Sequence, residues 1–217
     1  MTGGLVKTAR RIDLNLLQMW YYDLHDMESA VEKDTSVDYA KDYFAPGSRG
    51  YGWSLHEFAE PENTDTVWWR HPERKSDPMI RSKGRITLKD GTKCFIGNEH
   101  FTKRRWICNN YMADVMDLFP EAYRGSVWGM NPGFRFVEHI DYPNNETFRI
   151  HVVLHTNSKA MFKLEDETIN MPEDGHLWMV NTGSEMHTAW NDGDTDRIHA
   201  HWQMPIDKWD YYLNILQ

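Results

Sequence analysis

Two histidines and an aspartate carry the first chemical suggestion in this chain. His139 and Asp141 are separated by a single residue, and His187 comes later, in a strand-like run. Residues i and i+2 of a strand point to one face, so His139 and Asp141 can reach the same metal ion. His187 supplies a third donor from elsewhere in the fold. Two imidazoles and a carboxylate on one side of an octahedron leave three positions open, the facial arrangement that suits Fe(II). A His-x-Asp pair alone is weak, because a chain with this many histidines and acids forms one by chance, most often at the surface. Its company strengthens it. Arg197 lies ten residues after His187, on the strand beyond the Asn191-Asp192-Gly193 break. An antiparallel return brings it back toward the metal, where its planar fork fits the far carboxylate of a dicarboxylic acid. Arg149 and His151 alternate on the strand after the first two donors. Arginines turned into a small sandwich require an anion there; turned outward, they would pair with the plentiful acids.

The remaining histidines carry less. His199 and His201 share a face with Arg197, and Gly193 followed by His199-x-His201 imitates the opening of a cupin metal motif. That motif then needs a glutamate, and the chain offers Pro205 and Asp207 instead. His155 shares a face with His151 and reads as core or as support for the site. His71-Pro72-Glu73 has His-x-acid spacing but the composition of a loop, and His25, His56, His100 and His176 read as structural. Asn191 takes no role from the sequence.

The elements that must position these residues are mostly short strands. Phe134 to Glu138, Phe148 to His155, Ala160 to Leu164, Thr168 to Met171, His176 to Asn181, Met186 to Trp190 and Arg197 to Met204 alternate in the strand manner. The Pro172-Glu173-Asp174-Gly175 turn ends the fourth of them. Seven or eight strands at this density predict a β-sandwich of jelly-roll type. Ahead of them, Ile107, Tyr111, Val115, Leu118 and Phe119 form a helical stripe that Pro120 closes. Trp209, Tyr212, Leu213 and Leu216 predict a C-terminal helix. Residues 5–30 read both ways: Ile12, Leu14 and Leu16 alternate, whereas Leu17, Trp20, Tyr21 and Leu24 fall at helical spacing. Residues 31–90 are polar and punctuated by Pro46-Gly47, Pro61, Pro72 and Pro78. Within them Tyr51 to Leu55 and Thr66 to Trp69 are strand candidates, and Asp90-Gly91 predicts a hairpin joining Arg85–Leu88 to Lys93–Ile96.

Composition narrows the partners. The formal net charge of −9 argues against a general nucleic-acid or anionic-membrane binder, which it would repel. Ten Trp, ten Tyr and nine Phe give a 217-residue chain bulky core material despite a modest 40% hydrophobic content. Cys94 and Cys108 form neither a disulfide framework nor a C-x-x-C pair, which points to a reducing compartment. No leader-like apolar run or membrane-length segment is visible, so a cytoplasmic location is expected.

With those residues in view, Pro132-Gly133-Phe134-Arg135-Phe136-Val137-Glu138-His139, then Arg149-Ile150-His151, then His187 followed by Trp190 and Arg197, resemble a known family. It is the aspartyl/asparaginyl β-hydroxylase family, with its proline-hydroxylase-like members, among the Fe(II)/2-oxoglutarate-dependent oxygenases. The resemblance spans about residues 115–204 and does not extend to the first hundred residues. It implies that His139 and His187 bind iron and that Arg197 holds the distal carboxylate of 2-oxoglutarate. It places Arg149 and His151 near the co-substrate or its metal-binding end. Some members lack the acidic ligand, whereas this chain keeps Asp141, which points to a full triad and to the proline-hydroxylase-like side.

The expectation is a mainly β protein with a double-stranded β-helix (jelly-roll) core. It forms one domain over residues 1–217, with helices and buttressing strands in 1–120, the core in 121–204 and a short C-terminal helix. The expected activity is hydroxylation of a C–H bond in an amino acid, a peptidyl side chain or a small metabolite, using Fe(II), 2-oxoglutarate and O2. The rival readings are a non-catalytic jelly-roll module and a cupin-type metal enzyme that does not use 2-oxoglutarate.

Overall fold

A computed structural model describes residues 4–26, 50–57, 59, 64–68, 85–91, 93–95, 100–141 and 146–217. The helical reading of the first stretch holds, whereas the strand lies ahead of the Ile12, Leu14 and Leu16 alternation that suggested one, and Leu14 and Leu16 belong to the helix. Strand β1 runs Leu5–Arg11 and helix α1 runs Leu14–Asp26. Burial decides where one yields to the other: Leu17, Trp20, Tyr21 and Leu24 all face the core, while Leu16 stays exposed. Then come β2 (Gly50–Ser54), β3 (His56–Glu57) and β4 (Thr64–Trp68). β5 (Arg85–Leu88) and β6 (Lys93–Phe95) pair antiparallel as the hairpin expected around Asp90-Gly91, with Gly91 at φ +85°. β7 (Lys103–Arg104) precedes helix α2 (Asn110–Asp117), which begins after Ile107. Pro46-Gly47, Pro61, Pro72, Pro78, Trp69 and His71-Pro72-Glu73 lie outside the described residues, as does the side chain of His25.

The strands that build the site come next, as β8 (Tyr123–Met130), β9 (Thr147–His155), β10 (Ala160–Leu164) and β11 (Glu167–Ile169). β12 (His176–Val180), β13 (His187–Asn191), β14 (Arg197–Pro205) and helix α3 (Trp209–Ile215) complete the chain order. One sheet has the order β1-β12-β9-β14-β8-β2, and a second has β11-β10-β13. Bridges from Arg135 to Trp190 and from His139 to His187 extend the second sheet beyond β13. From β8 onward the chain crosses between the two sheets and closes as a double-stranded β-helix, or jelly roll.

The strand expected over Phe134–Glu138 is present only as these isolated bridges. Phe136 N–H bonds Ala189 O (2.9 Å), and the next exchange joins His139 and His187 (3.0 and 2.9 Å). Three residues on one side therefore face two on the other. The extra residue is a bulge at Val137-Glu138, which breaks regular pairing and re-aims the backbone beyond it. Asp141 sits in a bend, its N–H bonded to Thr182 O (3.0 Å), rather than in a strand with His139.

Two cores lie on opposite faces of the six-stranded sheet. The outer one packs Leu17 and Trp20 of α1, Met112 and Val115 of α2, and Trp209 and Tyr212 of α3 against Phe148, Ile150, Val152 and Trp202. The inner one, between the sheets, holds Trp128, Phe134, Val153, Phe162, Leu164, Trp178, Val180 and Ala189. Alternation thus sends even-numbered residues of β9 to the helices and Arg149, His151 and Val153 inward. A register shift beside Leu154 ends that row. His155 accordingly leaves the face of His151 and packs against Tyr21 and Tyr22 of α1, correcting the expected shared face.

Candidate metal centre

The bulge and the bend bring His139, Asp141 and His187 together, with one donor atom from each lying within 4.8 Å of the others. His139 Nε2 stands 3.4 Å from Asp141 Oδ1, and His187 Nε2 stands 3.8 Å from Asp141 Oδ2. Each imidazole is held from behind by the carbonyl two residues earlier. His139 Nδ1 bonds Val137 O (2.6 Å), and His187 Nδ1 bonds Glu185 O (3.2 Å). A carbonyl only accepts, so in the neutral rings Nδ1 carries the proton and the Nε2 lone pair is directed at Asp141. Two lone pairs and a carboxylate converging on one point repel each other unless a cation lies between them. This donor set fits a divalent transition metal, with tautomers already chosen by backbone carbonyls.

Electrostatics agree. Burial pushes the Asp141 carboxyl up, but the Arg149 guanidinium and both imidazoles outweigh it and hold the group well below the usual carboxylate range. Burial lowers His187 to about 4, against the pull of Asp141. Both donors are therefore in their metal-binding protonation states at neutral pH. Arg149 Nη2 lies 2.5 Å from Asp141 Oδ2, a close ion pair rather than the free anion receptor the sequence suggested.

From this centre a row of basic side chains runs along the inner face of the six-stranded sheet. Gln203 lies opposite Arg149, His201 between His151 and Ser126, His199 between Val153 and Trp128, and Arg197 opposite Met130. The His151 ring stacks on His201 with centroids 5.3 Å apart and meets His199 edge-on at 5.8 Å. Among the described residues neither nitrogen of His151 has a hydrogen-bond partner, nor does His199 Nε2 or His201 Nδ1. All three rings are held neutral, chiefly by burial.

Arg197, 5% exposed, donates to Met130 Sδ (3.2 Å) and His199 Nδ1 (3.3 Å). Among the described residues no carboxylate lies within ion-pair distance of it, and burial lowers its pKa to about 9. A buried guanidinium without a counter-ion costs several kcal/mol, so this end of the row fits a carboxylate.

Residues 119–205 match the family model of aspartyl/asparaginyl beta-hydroxylase. The match covers less than half of the chain, so the stretch is similar to that family. It contains all six residues that the sequence singled out. Solved structures with similar backbones include a Pseudomonas putida prolyl-4-hydroxylase, at 11% identity and TM-score 0.49, covering 94% of this chain and 93% of that one. A 2OG-Fe(II) oxygenase family protein from Burkholderia pseudomallei is similar at 9% identity and TM-score 0.49, with 92% and 84% covered. The non-haem alpha-ketoglutarate dependent epimerase SnoN from nogalamycin biosynthesis matches at 8% identity and TM-score 0.50, with 92% and 76% covered. At such identities the last likeness speaks for the fold alone. No curated protein matches the chain significantly.

Within the matched stretch, the structure adds residues that sequence reasoning left aside. His199 and His201 were legible only as a failed cupin motif, yet their alternation with Arg197 places them along the same inward row. Asn191, fully buried, gains a role as well. Its Nδ2 donates to Met130 O (2.8 Å) and Thr195 O (2.9 Å), and its Oδ1 accepts from Asn157 and Gly193, so it ties the β13–β14 turn that delivers Arg197. Nothing in its sequence context signals these contacts, which are nearly all to backbone. His56 behaves as the structural histidine expected, with Nδ1 accepting from Gly125 N–H (2.8 Å).

Proposed function

We propose that this protein is an Fe(II)/2-oxoglutarate-dependent dioxygenase, built as one domain, that hydroxylates a C–H bond. The substrate would be an amino acid, a peptidyl side chain or a small metabolite. The observation that carries the reading is the pairing of two sites on one inner face. His139, Asp141 and His187 converge as metal donors, and at the other end of the row Arg197 is buried with no carboxylate beside it among the described residues. A metal site without a dicarboxylate receptor would fit many enzymes; the two together fit an oxygenase using a 2-oxo dicarboxylic acid.

In this reading His139, Asp141 and His187 hold the iron. Fe(II) with 2-oxoglutarate and O2 supplies the oxidising power, yielding succinate, CO2 and a hydroxylated product. The protein's own residues orient and enclose. Val137 O and Glu185 O keep the two Nε2 lone pairs on the metal side, and Arg149 steadies the Asp141 carboxylate. Arg197 takes the far carboxylate, while His151 and Arg149 flank the end nearer the metal. Phe162, whose ring lies parallel to His187 at 6.1 Å, and Phe136, tilted 5.8 Å from His139, keep water from the far sides of the ligands.

The test is turnover of co-substrate. Anaerobically prepared protein given Fe(II) and 2-oxoglutarate should develop a visible metal-to-ligand absorption band, and on admitting O2 it should release succinate slowly. Candidate amino acids and peptides are then screened for faster release. Absence of both the band and succinate sinks the reading.

A further inference from the structure

For Arg197 to take a dicarboxylate it must stay unpaired, although its neighbour in the chain, Asp196, is itself a carboxylate. Asp196 ends the β13–β14 turn, just outside β14, where regular strand pairing does not fix its side chain. Two other side chains do. The Tyr51 hydroxyl donates to Asp196 Oδ2 (2.7 Å), and Asn131 Nδ2 donates to Asp196 Oδ1 (3.2 Å). Each carboxylate oxygen thus has its own donor, and bonds to a charged acceptor are the stronger kind. Tyr51 remains a donor: burial first, then its bonds to Tyr21 and Asp196, push its phenol well above the usual tyrosine range.

The reach of Tyr51 is built into the sheet. Tyr51 lies opposite Gly129 of β8, and Gly129 lies opposite Ile198 of β14. A Cβ on Gly129 would stand 2.5 Å from Tyr51 Cζ, so a glycine here lets the ring pass over β8 toward the start of β14. Ile198 and Tyr51 both pack in the outer core, which puts the arrangement on the helix side of the sheet, behind Arg197. Tyr51 belongs to β2, outside the stretch of residues 119–205 that matches the hydroxylase model.

Resting on the dicarboxylate reading, we infer that Tyr51 and Asn131 are positioning residues that hold the Asp196 carboxylate away from Arg197. The guanidinium then keeps its charge for the far carboxylate of the co-substrate. Without these donors Asp196 swings about the start of β14 and becomes an internal counter-ion. A guanidinium engaged internally for nine-tenths of the time binds an external carboxylate about tenfold more weakly.

The test uses the full chain loaded with Zn(II), a redox-inert ion, and calorimetry against 2-oxoglutarate and against 2-oxobutyrate, which lacks the far carboxylate. Tyr51→Phe should weaken 2-oxoglutarate binding by about tenfold and hardly move 2-oxobutyrate binding. Asp196→Asn keeps an oxygen for Tyr51 but carries no charge, and should bind 2-oxoglutarate as well as the wild type or better. The double variant decides. With no carboxylate left to compete, Tyr51→Phe combined with Asp196→Asn should return to the affinity of Asp196→Asn. A network that only ties the turn gives the opposite order, with Asp196→Asn weaker than wild type and the double variant weaker still. That order, or unchanged binding in Tyr51→Phe, overturns the inference. Asn131→Ala, alone and with Asp196→Asn, supplies the same comparison if Tyr51→Phe does not fold. If Arg197→Leu binds 2-oxoglutarate like the wild type, the dicarboxylate reading itself falls, whatever the Tyr51 variants show.

Discussion

At the scale of single residues, the proposed site separates a metal end from an anion end, and each would have its own signature. Replacing Arg197 by leucine removes the buried cation while leaving His139, Asp141 and His187 in place. Affinity for 2-oxoglutarate should drop by roughly two orders of magnitude or more, as for loss of a charge-assisted pair, with metal affinity little changed. Paired titrations of metal and co-substrate check the split; equal loss of both would mean that Arg197 supports the fold instead. The buried histidines set a pH limit on stability. Burial lowers His56 to about 4 and holds His151, His199 and His201 well below their ordinary value. The unfolded chain takes up protons near pH 6.5, and the folded chain does so only further down. Stability is therefore level above about 6.5 on this account and falls with pH below it, by up to about 1.4 kcal/mol per unit for each histidine. Urea unfolding of chelator-treated protein at several values between pH 7 and 5 should show a combined slope steeper than one histidine can give. A flat profile would place these rings in protonated, paired states.

At the scale of elements, two local irregularities aim the chemistry. The bulge at Val137-Glu138 turns Val137 O onto His139 Nδ1 and leads the chain into the bend that carries Asp141. Regular pairing throughout would have left His139 without this register against His187. The β13–β14 turn is the second irregularity, and Asn191 is its tie. Asn191→Ala removes the side-chain donor to Met130 O and one of the two to Thr195 O, which keeps Asn157 Nδ2, and should cost about 1–3 kcal/mol. Because the loosened turn leads directly into Arg197, co-substrate affinity should weaken more than metal affinity. Thermal melts with the same two titrations would show it. A variant as stable as the wild type, with unchanged affinity, would reduce the turn to a passive connection.

At the scale of the whole molecule, stability and chemistry occupy opposite faces of one sheet. The helices bury aromatic and aliphatic side chains on the outer face, while the inner face carries arginines and histidines that cost free energy to bury. The outer core must offset that cost. Trp20 is 4% exposed and donates from Nε1 to Ile107 O (2.9 Å), joining α1 to the segment before α2. Trp20→Ala should destabilise the fold by about 3–5 kcal/mol through a cavity and a lost bond, while metal affinity of the folded fraction stays near the wild-type value. Denaturation melts alongside metal titration test this division. A large fall in metal affinity at constant folding would show the two faces to be coupled.

What the sequence determined by itself was period and chemistry. Alternation in β9 and β14 put Arg149 with His151, and Arg197 with His199 and His201, on common faces, because side-chain direction in a strand depends only on residue parity. The density of short strands specified a sandwich, and the donor types raised the expectation of a metal with a dicarboxylate. Parity also set the limits of the reading, since it fails wherever pairing slips. The bulge ahead of His139, the bend at Asp141 and the register shift that turns His155 toward α1 are each decided by what lies across the sheet. So are the Arg149–Asp141 ion pair and the backbone contacts of Asn191, which join residues far apart in the chain or reach main-chain atoms that have no sequence signature. His139, Asp141 and His187 were nameable from the chain; that their lone pairs and carboxylate point at one place was settled only by the closing of the jelly roll.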